Sequence, residues 1–549
     1  MHERHRAVAT LALRELRMLS KIRSMRGIPI SGWLRPHPDV RKAMGRGFRL
    51  AICCPCLLGM VSCSFAPKYS LPEIRTESYT REPSPHATVG SSGAAGKAQR
   101  FEYGAIPSID WWRQFESPAL DVLIHQALAG NPGLVQERAR LREAQAAMAA
   151  AAGIFYPQVN GNLGASRQRT SSASSGGSFP GRVYSLYSGG LDVSYYPDFF
   201  GVNRLVFRSE QAQVNYRRYE LDAARLTLIG NVASAAIGAA SARAQIAATQ
   251  SIISHEKRLL ELTETQYRLG AVPYLSVLTQ RSTVASSEAT LPSLEQQWAI
   301  YRHELAILVG EMPSEWPDHA PRMSDVHLPS RIPVSLPSTL LQQRPDIRAA
   351  EAQLRYADVQ VGIARARMYP AVTLTAQFGQ ESTAPGAFVH AASNIWSIAG
   401  DLVLPIFAGG TLEAQKRQAV AAYDATYAAY RETVLGSFQQ VADALRALEH
   451  DAQRVRAEQA ALGASHGALR LAETSYQDGA VDYLSLLTAQ VQYSNARLGY
   501  IKAKAQRYLD TISLFVSLGG GWSAQAPPDA RPSPTAAARG NKSGMAEEY

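Results

Sequence analysis

Cysteine is nearly absent. All four cysteines of the 549-residue chain, Cys53, Cys54, Cys56 and Cys63, fall in its first 63 residues. A chain cleaved before Cys63 would keep one thiol, at its first residue, and could form no intrachain disulfide. Beyond that point no H-x-x-H or H-x-x-x-H pair occurs, so metal ligation of the zinc type is unsupported. No glycine-rich phosphate loop follows a strand pattern. No run reads as long and apolar enough for an inner-membrane helix, which disfavours an ATPase or proton pump. Charge of one sign is also scarce once the N-terminus is set aside. The formal +10 arises in residues 1–62, which hold 12 Lys+Arg and 3 Asp+Glu, leaving 44 against 43 in the rest. A basic nucleic-acid binder is therefore unsupported. Two catalytic-looking strings, Gly463-Ala-Ser465-His-Gly467 and Ser254-His-Glu-Lys257, lie inside helical patterns, without the strand-to-helix turn a nucleophile elbow needs. The chain does not read as an enzyme.

Residues 1–62 read as a leader. Basic residues precede an apolar run from Leu50 to Val61, too short to span a bilayer as a helix but suited to a signal-peptide core. A start at Met44 would give a 19-residue leader of ordinary length. Met60-Val61-Ser62-Cys63 resembles a bacterial lipobox, with Met60 in place of the usual Leu; this implies diacylation of Cys63. Residues 63–109 then form a lipidated N-terminal tether, polar and rich in Gly, Pro and Ser from Ser78 to Arg100. Residues 523–549 read as a disordered Pro/Ala/Ser-rich tail.

The rest is a duplication. Residues 264–279, ETQYRLGAVPYLSVLT, recur at 473–488 as ETSYQDGAVDYLSLLT, eleven of sixteen positions being identical. Pro132–Pro157 answers Pro345–Pro370, and PDFFG (197–201) answers PIFAG (405–409). Each copy runs helix, Tyr-Pro, β-like segment, Pro-x-Phe-x-Gly, very long helix, Gly-Ala-Val turn, helix. Gly270 and Gly479 supply the residue that most easily ends a helix in the left-handed conformation. A repeat this long outweighs any local motif in constraining the fold. The copies occupy 110–310 and 344–522, joined by a proline-rich belt at 311–343.

Helix lengths predict the arrangement within each copy. Residues 203–269 would form a rod of about 100 Å at about 1.5 Å per residue. Segments 133–155 and 274–310, stacked end to end, would match it, as 345–368 and 482–518 would match 410–478. Val420, Tyr423, Tyr427, Tyr430, Val434, Phe438, Val441, Leu445 and Leu448 make a seam of coiled-coil period. Such thinly apolar helices fit a hollow tube rather than a globular core. Val372, Leu374, Ala376 and Phe378, then Trp396, Ile398, Leu402 and Leu404, alternate with polar or small residues; strands of this length with one apolar face are those of a transmembrane β-barrel. Leu191, Val193 and Tyr195 do not keep that phase, which suggests a bulge. Trp111 and Trp112 are expected to pack against the body.

These residues together resemble the TolC-like outer-membrane channels of tripartite efflux systems, in the lipoprotein branch called the NodT type. The resemblance rests on CSFAPKYSLP, DWWRQFESPALDVLI, LPSTLLQQRPDIRAAEAQL, YPAVTLTAQFG, LPIFAGG, the two GAV(P/D)YLS turns and SLGGGW, in order from Cys63 to Trp522. It implies a mainly α fold with a transmembrane β-barrel. A homotrimer would hold 12 strands, four per subunit, above a long periplasmic α-helical barrel. Four strands alone cannot close a barrel, and an open edge in lipid is prohibitive. It also implies a passive exit duct in the outer membrane, lipid-anchored, fed by an inner-membrane pump of the resistance-nodulation-division class through a periplasmic adaptor. Apart from lipid on Cys63 it implies no cofactor. The tips that dock the adaptor would be Gly270, Ala271, Val272, Gly479, Ala480 and Val481. Many relatives carry an Asp just after the second turn, where this chain has Thr488, so a periplasmic gate would rest on Leu484 and Thr488, with Asp478 and Asp482 as nearby acids. A channel for type I secretion or an ATP-driven exporter is the alternative. A coiled-coil envelope lipoprotein acting as a strut fits less well, because of the hairpin pairs.

Overall fold

The computed structural model describes residues 78–521 apart from 83–84, 94–95, 172, 174–180 and 318, all within one compact unit. The expected leader, the expected lipidation site Cys63, Trp522 and the expected disordered tail lie outside the described residues.

The duplicated pattern folds as two helix–hairpin units. Helices α1 (Pro118–Gly130) and α2 (Pro132–Ala152) lead into strands β2 (Gln158–Arg169) and β3 (Val183–Tyr195), which follow a short β1 (Arg100–Tyr103). Helix α3 (Val202–Arg268) has 67 residues, about 100 Å at about 1.5 Å per residue, and reverses into α4 (Tyr274–Val309). The belt follows, with β4 (Arg331–Val334) and α5 (Pro337–Gln343). The second copy repeats the order: α6 (Pro345–Ala366), β5 (Ala371–Ser382), β6 (Asn394–Val403), the 67-residue α7 (Thr411–Gln477) and α8 (Tyr483–Ser517).

Proline starts α1, α2, α5 and α6, because its missing N–H is one of the four that a helix N-terminus leaves unpaired. Asn131 caps α2 by accepting from Leu134 N at 3.1 Å, and its Nδ2 donates to Leu308 O at 2.9 Å near the end of α4. The repeat-equivalent Arg344 donates from Nη1 to Ser517 O, the last residue of α8, at 2.8 Å. At each of these two joints, therefore, the residue before the proline ties the start of one short helix to the end of the other. The short helices thus stack end to end along the long ones.

The packing of α3 departs from the thin seam predicted for both rods. Ala235–Ala242 is buried at every position. Small residues permit this approach: a Cβ on Gly238 would lie 2.5 Å from the Tyr301 ring, and one on Gly230 would lie 2.7 Å from Val516. One window of α3 is long and apolar enough to pass for a membrane span, contrary to the expectation, but 56% of it is buried against neighbouring elements. On α7 the seam holds for Tyr430, Val434, Val441, Leu445 and Leu448, all buried, whereas Val420 is exposed. Each fully buried aliphatic of that seam contributes about 1.5–3 kcal/mol.

Residues 78–103 correct the flexible-tether expectation. β1 pairs in parallel with β4, Arg100 opposite Arg331 and Tyr103 opposite Val334. Arg507 on α8 is fully buried, and its Nη2 donates to Thr88 Oγ1 and Lys97 O, each at 2.9 Å. Tyr79 Oη donates to Ser335 O at 2.7 Å. A buried guanidinium needs its donors satisfied, and this segment supplies the acceptors. Trp111 and Trp112 are buried, Trp111 stacked on Phe515 at 5.1 Å, as expected for packing against the body.

The four long strands form one antiparallel sheet in the order β2-β3-β5-β6. Its register removes the phase problem without a bulge. Val159, Val193, Ala376 and Ile398 lie opposite one another in a row, as do Gly161, Leu191, Phe378 and Trp396. Those rows face the same side, and Phe378, Trp396, Ile398 and Leu402 are 63–79% exposed. The other face carries the row Asn160, Asp192, Gln377 and Ser397. β2 and β6 are left as unpaired edges among the described strands.

Candidate functional site

At the far end of each long helix the chain reverses by the same geometry. Gly270 (φ 73°) and Gly479 (φ 71°) hold the left-handed position. Ala271 N donates to Gln266 O at 2.8 Å and Gly270 N to Tyr267 O at 2.9 Å; Ala480 N donates to Ser475 O at 2.7 Å and Gly479 N to Tyr476 O at 3.1 Å. These paired bonds satisfy the carbonyls a helix C-terminus leaves open. Gly270, Ala271, Gly479 and Ala480 are exposed, while Val272 and Val481 are half-buried. A Cβ on either glycine would meet nothing within 4 Å, so nothing from the described residues covers the tips.

The return helices begin differently. Pro273 precedes α4 with no side-chain cap, whereas Asp482 caps α8, its Oδ1 accepting from Ser485 N at 2.9 Å and from Ser485 Oγ at 2.5 Å. The Ser485 hydroxyl and then its backbone N–H hold the Asp482 carboxyl below the usual carboxylate range. Asp478 occupies the C-cap position of α7, exposed. Leu484 is 65% exposed, as is the repeat-equivalent Leu275 at 71%. Thr488 Oγ1 donates to Leu484 O at 2.8 Å, so its hydroxyl is turned back on its own helix. Cys63 lies outside the described residues.

Polar contacts that the repeat did not reveal tie the two hairpins together just behind the tips. Tyr476 Oη donates to Gln266 Oε1 at 2.7 Å, and Tyr483 Oη to Gln280 Oε1 at 2.6 Å. His255 Nε2 lies 2.6 Å from Glu473 Oε1. Leu469, Tyr476, Leu486 and Ala489 of the second hairpin form a small apolar core, against which Leu259 of the first is packed. Burial pushes the Glu256 carboxyl upward against the hydrogen bond that Ser287 Oγ gives Oε1 at 3.0 Å. Tyr267 and Tyr274, the first-copy equivalents of Tyr476 and Tyr483, instead contact each other at 5.2 Å and are 44% and 48% exposed. The duplicated tyrosines were the signal available in the sequence, but their partners sit in the opposite copy.

Ser465 and Ser254, the serines of the two catalytic-looking strings, lie within α7 and α3. Ser465 Oγ donates to Leu462 O at 3.2 Å and Ser254 Oγ accepts from Arg258 at 3.1 Å. Among the described residues no group of three or more His, Cys, Asp or Glu side chains gathers as a metal site.

The profile of the family described as "Outer membrane efflux protein" matches residues 123–311 and 336–520. The pyoverdine export outer membrane protein OpmQ of Pseudomonas putida is 33% identical over 441 residues, covering 79% of this chain and 92% of its own. Nodulation protein T of Rhizobium leguminosarum bv. viciae is 29% identical over 493 residues, covering 89% and 97%. Among solved structures, the outer-membrane channel OprN superposes with a TM-score of 0.74 at 28% identity, covering 81% of this chain and 99% of that one. With both halves of its duplication matched, the chain belongs to the outer membrane efflux protein family, the efflux channels of the bacterial outer membrane with a long helical extension into the periplasm.

Proposed function

We propose that three copies of the chain form one passive conduit, each giving four strands to a 12-stranded barrel and its paired hairpins to a periplasmic tube. The observation that carries this reading is the sheet. Its apolar face is exposed, its opposite face is polar, and both edges are unpaired. In hydrocarbon an unpaired edge costs several kcal/mol per backbone group, so the sheet must close. In this reading a periplasmic adaptor docks the tips around Ala271 and Ala480 and delivers solutes from an inner-membrane transporter of the resistance-nodulation-division class. A diacylated Cys63 adds a lipid anchor. OpmQ is a pyoverdine export protein; a water-filled duct need not bind what it passes, so this chain's cargo is set by its pump.

Two measurements test the reading. Native mass spectrometry of the detergent-extracted protein should give three chains, and planar bilayers should show discrete conductance steps. A trimer without conductance would favour a strut, and a monomer would remove the conduit altogether.

A further inference from the structure

The turn after β6 carries the two most exposed large apolar side chains among the described residues, Ile406 at 91% and Phe407 at 90%. At the start of the other free edge, Tyr156 is 69% exposed beside a hollow of about 640 Å³ lined by Ile154, Phe199, Phe200 and Tyr369 among others. Resting on the trimeric reading above, we propose that Phe407 of one copy stacks on Tyr156 of the next and closes this hollow with Ile406. The edges β6 and β2 then pair with Leu402 opposite Gly161.

The chain contains its own precedent. β3 pairs with β5 antiparallel, ending with Tyr195 opposite Leu374. Five residues beyond each of those positions, Phe200 stacks on Tyr369 with ring centroids 5.5 Å apart at 23°. In the duplication β6 corresponds to β3 and β2 to β5, so the contact between copies repeats the contact within one. Direct transfer by the repeat offsets would place Val403 opposite Gly161. That register fails on the pleat. Gly161 belongs to the exposed apolar row with Leu191, Phe378 and Trp396, whereas Val403 lies on the face of Asp401. A slip of one residue moves every side chain to the other face, so the paired edges must be displaced by one in either direction.

The aromatic pair decides the direction. With Leu402 opposite Gly161, the position five residues further on is Phe407, opposite Tyr156, which restores the ring stack seen at Phe200 and Tyr369. With Leu404 opposite Gly161, the residue facing Tyr156 is Gly409, which has no ring to stack, and Phe407 faces Gln158 instead. The first register alone gives the Tyr156 ring a ring partner, and it covers Phe407, one of the two most exposed large apolar side chains among the described residues.

Engineered disulfides read the register directly. Side chains directly opposite on antiparallel strands sit about 4.5–5.5 Å apart at Cβ and diagonal ones about 7–8 Å apart, and only the former suit a disulfide. Cysteine pairs are placed in the full-length chain at 402 with 161, 403 with 161 and 404 with 161, each single-cysteine chain serving as control. Leu402→Cys with Gly161→Cys should give at least tenfold more covalent trimer on denaturing gels than the other two pairs, and Phe407→Cys with Tyr156→Cys should also cross-link. Dominant cross-linking through 403 or 404 in a protein that remains trimeric by native mass spectrometry would overturn this register alone. A monomer by that measurement would overturn the trimeric reading and this inference with it.

Discussion

Leu484 stands exposed in the first turn of α8, while Asp482, two residues before it, is engaged by Ser485 at the helix start. A ring of three leucines can close a pore by dewetting, without charge. Leu484→Ser should therefore raise single-channel conductance in planar bilayers and admit bulky antibiotics in cells. Asp482→Asn is the informative control, because Asn caps a helix about as well as Asp but carries no charge. It should leave conductance at the wild-type level. If Asp482→Asn opened the pore and Leu484→Ser did not, closure would be electrostatic. A second residue sets a pH dependence. Asp451 on α7 is pushed up to about 7 by burial and by the Asp510 carboxyl on α8. Between the ordinary Asp value and about 7 the folded chain holds a proton that the unfolded chain has lost. Stability therefore falls as pH rises across that window. The melting temperature of the detergent-solubilised protein should be lower at pH 8 than at pH 5, and Asp451→Asn should flatten the slope. Asp222, also raised to about 7 by burial, should leave a residual slope in that variant.

At the scale of elements, the sequence was most legible where a pattern repeats. Glycine turns, proline starts and helix lengths locate α2, α3, α4, α6, α7 and α8 to within a few residues, because each signal is local. The phase of β3 was not legible, because strand faces are set by cross-strand register, and Leu191 is placed by Phe378 across the sheet rather than by its repeat equivalent. The docking of residues 78–103 was hidden for a similar reason: Thr88 and Gln99 read as loop residues until Arg507, some 400 positions away, is brought to them. At the tips, the glycine turns were visible but the tyrosine–glutamine ties behind them were not, since Gln266 and Gln280 have Ser475 and Ala489 as repeat equivalents. The exposed tips lead to a prediction. Ala271 and Ala480 touch no core, so Ala271→Trp with Ala480→Trp should leave trimer yield normal. Drug resistance conferred by the intact pump should nevertheless fall, because six obstructed tips would meet the adaptor. Full resistance in the double variant would place docking elsewhere.

At the scale of the whole molecule, two anchors would act on one body in the proposed reading, and they would differ in strength. A single acyl chain gives marginal, reversible membrane binding, and two give a stable attachment. A closed barrel is held by a far larger area, since Phe378, Trp396, Ile398 and Leu402 on each copy already expose an apolar face, and three copies multiply it. Lipid on Cys63 would then serve delivery and early attachment, before the sheet has closed, more than retention of the finished channel. Cys63→Ala separates these roles. Incorporation of labelled palmitate should be abolished, and the amount of channel reaching the outer membrane should fall. The fraction that arrives should sediment with membranes after high-salt and carbonate washes, form trimers and conduct as the wild type does. Palmitate labelling undiminished in Cys63→Ala would place the lipid on another residue. A variant that arrives in normal amount but washes off with carbonate would mean that the acyl chains, not the barrel, hold the channel in place.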